Sequence, residues 1–171
     1  MTNLRVEPLP GYSPTIGRLV SMLTYVRGTV ISAVRGLSQA QLDHLHDATS
    51  NSIGALLAHG MAVERVYQLL TFEGREPSPH EEQLWAAALD LGDAGRRELK
   101  GRSLDSYLDE MAATRDATLA ALAARDDVWL EQPLQHSPNM NPHWAWFHVM
   151  EDEINHRGQI RWLRARLNVS R

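Results

Sequence analysis

The sequence predicts an all-α fold, a four-helix bundle, and three observations carry that prediction. Apolar residues recur at three- and four-residue spacing in four separate stretches. Each stretch follows a residue suited to cap a helix, and in two cases proline comes directly after the cap. No stretch alternates apolar and polar residues in the manner of a half-buried strand.

The first helix is expected to begin at Ser13 and Pro14, with Ile16, Leu19, Val20, Leu23, Val26, Val30, Val34 and Leu37 forming one stripe. Gly36 and Ser38 close it, and a short turn spans Ser38 to Leu42. The second helix starts near Ser50 or Ser52 and buries Ile53, Leu56, Leu57, Val63, Val66 and Leu70 before ending around Gly74. Residues 75–102 carry Gly92, Gly95 and Gly101 and at most a short helix from His80 to Leu89, which suits a long crossover between helices two and three. Ser103 caps the third helix, whose inner side holds Leu104, Tyr107, Leu108, Met111, Leu119 and Leu122. A loop from Asp126 to Met140 leads to Asn141 and Pro142, which open a last helix running to about Leu167.

The chain has 171 residues, enough for one domain over 1–171 with a bundle core at about 12–167. Hydrophobic residues make up 43% and charged residues 22%, which excludes dominant disorder. The net charge is −4 without a large basic patch, so nucleic acid is not an expected partner. No apolar run approaches the ~18 residues of a membrane span, and Met1 to Pro10 lacks the layout of a signal peptide. A cytoplasmic location is the resulting expectation. There is no cysteine, so a metal would have to be held by nitrogen and oxygen, and any thiol chemistry would use a thiol from outside.

The last helix concentrates the chemistry. With His148 at the origin of a helical wheel, Asp152 falls at about 40°, His156 at about 80° and Gln159 at about 20°. Trp144, Trp162 and Leu163 flank this row, and the wheel puts it within the apolar arc, with Glu153, Arg157, Arg161 and Arg164 facing water. Buried carboxylate and imidazole cost several kcal/mol unless paired, about as much as a divalent ion would offset. Residues at i and i+4 can reach one ion, so Asp152/His156 and His148/Asp152 are candidate ligand pairs. A hydrogen-bond ladder or the lining of a wet pocket would use the same row. A facing helix would supply the missing ligand: His59 is the best candidate and Glu64, one residue off the inner row, a weaker one.

The stretch from His148 through Asp152 and His156 to Ile160 (HVMEDEINHRGQI) resembles the last-helix signature of the DinB-like superfamily, roughly H-x-x-x-H/E-E-x-x-H-x-G-Q-I. Ser52 to His59 (SIGALLAH) is similar to that family's second-helix motif, which ends in a ligand histidine. The resemblance implies an up-down-down-up four-helix bundle, often dimeric. It implies one divalent metal on His59, Asp152 and His156, of the zinc, nickel or manganese type that such donors suit. It further implies metal-dependent transfer of a low-molecular-weight bacterial thiol to a small electrophile, as in detoxification or stress response. Asp152 departs from the pattern, which has His or Glu there.

Three protein ligands leave a coordination position open, as catalytic sites do. In this reading His148, one turn before Asp152, supports the ligands and, with Gln159, contacts a bound cofactor or substrate, while Trp144 and Trp162 wall the pocket. A metal-dependent hydrolase and a non-catalytic dimer with a degenerate site are the alternatives. Met150 and Ile154, apolar among the outer arginines, hint at a homodimer contact.

Overall fold

The computed structural model describes residues 5–167, so both extremities of the expected 1–171 domain lie outside the described residues. Four long helices dominate: α1 (Pro14–Val34), α3 (Ile53–Gln68), α6 (Leu104–Ala123) and α8 (Pro142–Arg164). Shorter ones lie between them: α2 (Gln39–Leu42), α4 (Pro79–Asp90), α5 (Gly92–Glu98) and α7 (Asp127–Leu130). No strand occurs among the described residues, and no helix there is long and apolar enough to cross a membrane.

Local chemistry sets most boundaries. The side chains of Ser52, Ser103 and Asn141 accept hydrogen bonds from backbone N–H groups in the first turns of α3, α6 and α8. Ser38 and Ser78 form reciprocal capping boxes with Gln41 and Glu81. The second helix does reach Gly74, but its last turn, Leu69–Glu73, is a π-helix, ended by Gly74 at φ 65°. The crossover is more helical than expected: α4 and α5 fill most of it and Gly95 sits inside α5, while the chain does break at Leu91 and Gly92, both at φ 55°.

Contacts along the helices give the topology. Arg27, Thr29 and Ala33 of α1 meet Glu153, Arg157 and Arg164 of α8 in the same order, so these two helices run parallel. His59 and Tyr67 of α3 meet Asp152 and His148 of α8 in reverse order, so those run antiparallel. Gly54 and Gln68 of α3 meet Tyr107 and Thr118 of α6, again in parallel. The arrangement is therefore up-down-down-up. Parallel α3 and α6 need a connection spanning the bundle's length, which α4 and α5 provide. At Gly54 the approach is so close that a Cβ would lie 2.8 Å from the Tyr107 hydroxyl.

The interior has two apolar clusters. One holds Leu56, Met61, Tyr107, Met111 and Ile160; the other holds Ile16, Leu23, Leu122, Leu130, Trp146 and Val149. Between them, on all four long helices, lies a layer of buried charge: Arg27, Glu64, Arg115 and Glu153. Arg27 donates to Glu153 Oε1 (Nε, 2.7 Å) and to Glu64 Oε2 (Nη2, 2.6 Å), and its Nη2 also contacts Glu153. Arg115 donates to Glu64 Oε1 at 2.7 Å and Glu153 Oε1 at 3.0 Å. Leu23 and Met111 carbonyls and the Thr118 hydroxyl take up further partners. Burial alone would raise the Glu64 pKa, but Arg115 and Arg27 outweigh it and hold the carboxyl below its usual range.

This layer corrects the wheel of the last helix. Glu153 is 5% exposed and Trp146 fully buried, whereas Trp144 and Trp162, expected on the inner arc, are 46% and 45% exposed. Arg157 and Arg164 do not simply face water either, since they donate to Thr29 and Ala33 of α1. The inner face of α8 is centred on Val149, Glu153 and Ile160, and the His148 row lies along its edge. The reason is the neighbour on the far side: α8 packs against both α1 and α3, so its buried arc is wider and rotated toward α1.

At the start of α1 the cap comes from outside the helix. Ser13 makes no side-chain cap; Asp127 of α7 instead accepts from the Thr15 and Ile16 backbone N–H groups at 3.0 and 3.1 Å, and from the Ser13 hydroxyl. Partial desolvation would raise the Asp127 pKa, but these hydrogen bonds bring it down from 3.8 to about 2. A depressed carboxyl stabilises the fold above its unfolded-state pKa, and that stability is lost as pH falls through the folded value. Thermal melts should therefore show the wild type losing its advantage over Asp127→Asn as pH drops from about 4 to about 2. A gap between the two that stays constant over that range would show that the capping charge contributes nothing.

Candidate metal centre

His59 comes from the middle of α3, and Asp152 and His156 come one turn apart from α8. Their side chains are 14–15% exposed. His156 Nε2 lies 3.1 Å from Asp152 Oδ1, and His59 Nε2 lies 3.6 Å from Asp152 Oδ2. The two imidazoles meet edge to face with centroids 4.8 Å apart. One ligand atom from each residue lies within 4.8 Å of the other two. Ligands around a tetrahedral ion with bonds of about 2.0–2.2 Å sit about 3.3–3.6 Å apart, so the cluster is close to that spacing.

The donor chemistry fits a divalent cation on three counts. His59 Nδ1 donates to the Ala88 carbonyl of α4 at 2.8 Å, which leaves Nε2 with its lone pair toward Asp152. Asp152 Oδ2 is buried without a hydrogen-bond partner. Burial would raise the Asp152 pKa, but the imidazoles of His156 and His59 beside it more than offset that, and the carboxyl stays well below its usual range. For His59, burial lowers the pKa, and the nearby Asp152 carboxylate and the Ala88 carbonyl outweigh that and raise it. The site thus presents an anionic oxygen between two imidazoles.

The remaining sequence candidates lie elsewhere. His148 is half-exposed and outside the three-residue cluster. Its Nδ1 lies 2.9 Å from the Tyr67 hydroxyl, and its ring stacks on Trp144 at 4.9 Å. Gln159 is exposed on a shallow groove with Asn51 and Trp162. Glu64 points into the charged layer, toward Arg27 and Arg115. Sequence reasoning missed the Ala88 carbonyl, Tyr67, Arg27 and Arg115. A lone arginine between Leu23 and Val30, or between Met111 and Leu119, was a readable sign of buried charge. Nothing in the sequence marks the Ala88 carbonyl, because it is backbone.

Comparison with known proteins adds one finding. No curated protein matches the chain. The profile of a family described as mycothiol-S-transferase matches residues 18–168, a span that includes His59, Asp152 and His156. With the up-down-down-up bundle and the two-helix donor cluster in place, the chain belongs to the mycothiol-S-transferase family, DinB-like helical bundles that transfer a thiol.

Proposed function

We propose that this protein transfers a low-molecular-weight thiol of the mycothiol class to a small electrophile, at a divalent ion held by His59, Asp152 and His156. The observation that carries the reading is the convergence of these three donors from α3 and α8 within the family's matched span. The ion, of the zinc, nickel or manganese type, supplies the charge that keeps a bound thiol deprotonated at neutral pH. The protein's own residues orient and enclose. Ala88 fixes the His59 ring, and the α3 and α8 side chains around Asp152 limit water. Tyr67, His148 and Trp144 form an aromatic wall that begins one turn before Asp152, suited to face the electrophile. In the overall transfer a carbon–sulfur bond forms, the thiol proton passes to solvent, and the leaving group departs with its electron pair.

A cytoplasmic setting, where small thiols are kept reduced, suits this chemistry, and detoxification is the role it would serve. A homodimer is the assembly we favour. Tyr25 and Ile154 are exposed at a groove of about 450 Å³ that also includes Met22 and Met150. Light scattering should give twice the mass of one chain; a single-chain mass at micromolar concentration would refute the dimer.

The activity is tested by incubating metal-loaded protein with mycothiol and a fluorogenic alkyl halide. Conjugate should form at a rate at least about tenfold above metal-free protein, a conservative bound for a metal-activated nucleophile. If no thiol gives a metal-dependent rate, the transferase reading fails and a hydrolase or a non-catalytic bundle takes its place.

A further inference from the structure

The fold treats the two histidines of the cluster differently. His59 has its outer nitrogen held by a carbonyl, which fixes the ring. The outer nitrogen of His156, Nδ1, is buried and has no direct partner. Metal-ligating histidines almost always give that second N–H to a carboxylate, a carbonyl or a water, and the partner sets ring orientation and basicity.

Three residues earlier, Glu153 is in the complementary position. Its Oε1 takes the hydrogen bonds from Arg27 and Arg115, while Oε2 is buried and unpartnered. Glu153 and His156 line the same cavity, of about 20 Å³, between α1, α3, α6 and α8. A space of that size holds one water, for which about 10–15 Å³ suffices. Except for Arg27, the other lining residues, such as Val30, Leu57 and Met61, are apolar. The polar partners for a water there are therefore Glu153, His156 and Arg27.

We propose that Glu153 is a positioning residue for His156, acting through one water in this cavity. The water accepts from His156 Nδ1–H and donates to Glu153 Oε2. The ring is then held with its other nitrogen toward Asp152, in the way that Ala88 holds His59. The charged layer of the core thereby reaches the metal centre: Arg27 and Arg115 fix Glu153, and Glu153 fixes His156. The inference rests on the metal reading of the site given above.

Two isosteric variants separate positioning from stability. Glu153→Gln keeps the side-chain shape but turns the atom facing the cavity from acceptor to donor. Glu64→Gln removes a charge from the same layer, yet Glu64 does not line the cavity and both its oxygens are already engaged. Zinc affinity is measured by competition with a chromogenic chelator. Glu153→Gln should weaken zinc binding by about 10–100-fold, the usual range for losing such a partner, while Glu64→Gln binds zinc within about threefold of wild type and only melts earlier. Equal weakening in both variants, or none in Glu153→Gln, overturns the proposal. A readout on the wild type stands even if a variant does not fold. In zinc-loaded protein, the His156 Nδ1 proton should give a slowly exchanging NMR signal, and its absence overturns the proposal too. Wild type that takes up no zinc removes the site reading and this inference together; normal uptake with an unaltered Glu153→Gln removes this inference alone.

Discussion

Replacing His156 by alanine should abolish metal uptake. Wild-type protein, purified without chelator or nickel resin, is expected to hold about one divalent ion per chain, as one three-ligand site would. The variant keeps only His59 and Asp152, and two donors rarely suffice against free solvent. The loss is also visible in stability. Metal at about 1,000 times its dissociation constant adds ~4 kcal/mol to the native state. For a chain of this length that raises Tm by about 8–16 °C. His156→Ala should show none of that metal-dependent rise, and its thiol transfer should drop to the metal-free background. Elemental analysis finding a full complement of metal in the variant would show that His156 is not a ligand.

The second large effect is expected on stability, in the charged layer of the core. Arg115 is 5% exposed and binds Glu64 and Glu153. Arg115→Met retains much of its length and apolar packing but leaves two buried carboxylates facing Arg27 alone. Breaking a buried ion network by removing one partner costs about 3–5 kcal/mol. At 2–4 °C per kcal/mol for this chain length, Tm should fall by about 6–20 °C. The cost comes from uncompensated charge, so removing Glu64 as well should recover much of it. In Arg115→Met/Glu64→Leu, the Arg27–Glu153 pair remains neutral and the new side chains pack as hydrocarbon. Melting curves in which the double variant loses the sum of the two single losses would show that packing, not charge balance, sets the cost.

Both effects bear on what could be read from the sequence. The ligand row was visible because it is local: Asp152 and His156 are one helical turn apart, and that distance follows from the helix itself. Their partner His59 stood out because a histidine beside Leu56 and Val63 is costly unless something pairs with it. Glu153 was misplaced because the wheel was centred on the ionisable row, while the true centre depends on which helices flank α8. A charge at the edge of a stripe looks solvated until an arginine on another helix is found facing it, and Arg27 lies 126 positions away in the chain.

By itself, the sequence determined the helical class, the starts of all four long helices, three of them capped by their own side chains, the long crossover, and, through its resemblance to a known family, the donors His59, Asp152 and His156. These follow from 3.6-residue periodicity, from side chains that satisfy free backbone N–H groups, and from the cost of burying charge. Only the tertiary structure decided the rotation of α8, the four-helix layer of Arg27, Glu64, Arg115 and Glu153, the Ala88 carbonyl behind His59, and the water-sized cavity beside His156. Each of these joins residues distant in the chain, and their energies exist only once the desolvated groups are brought within hydrogen-bond reach.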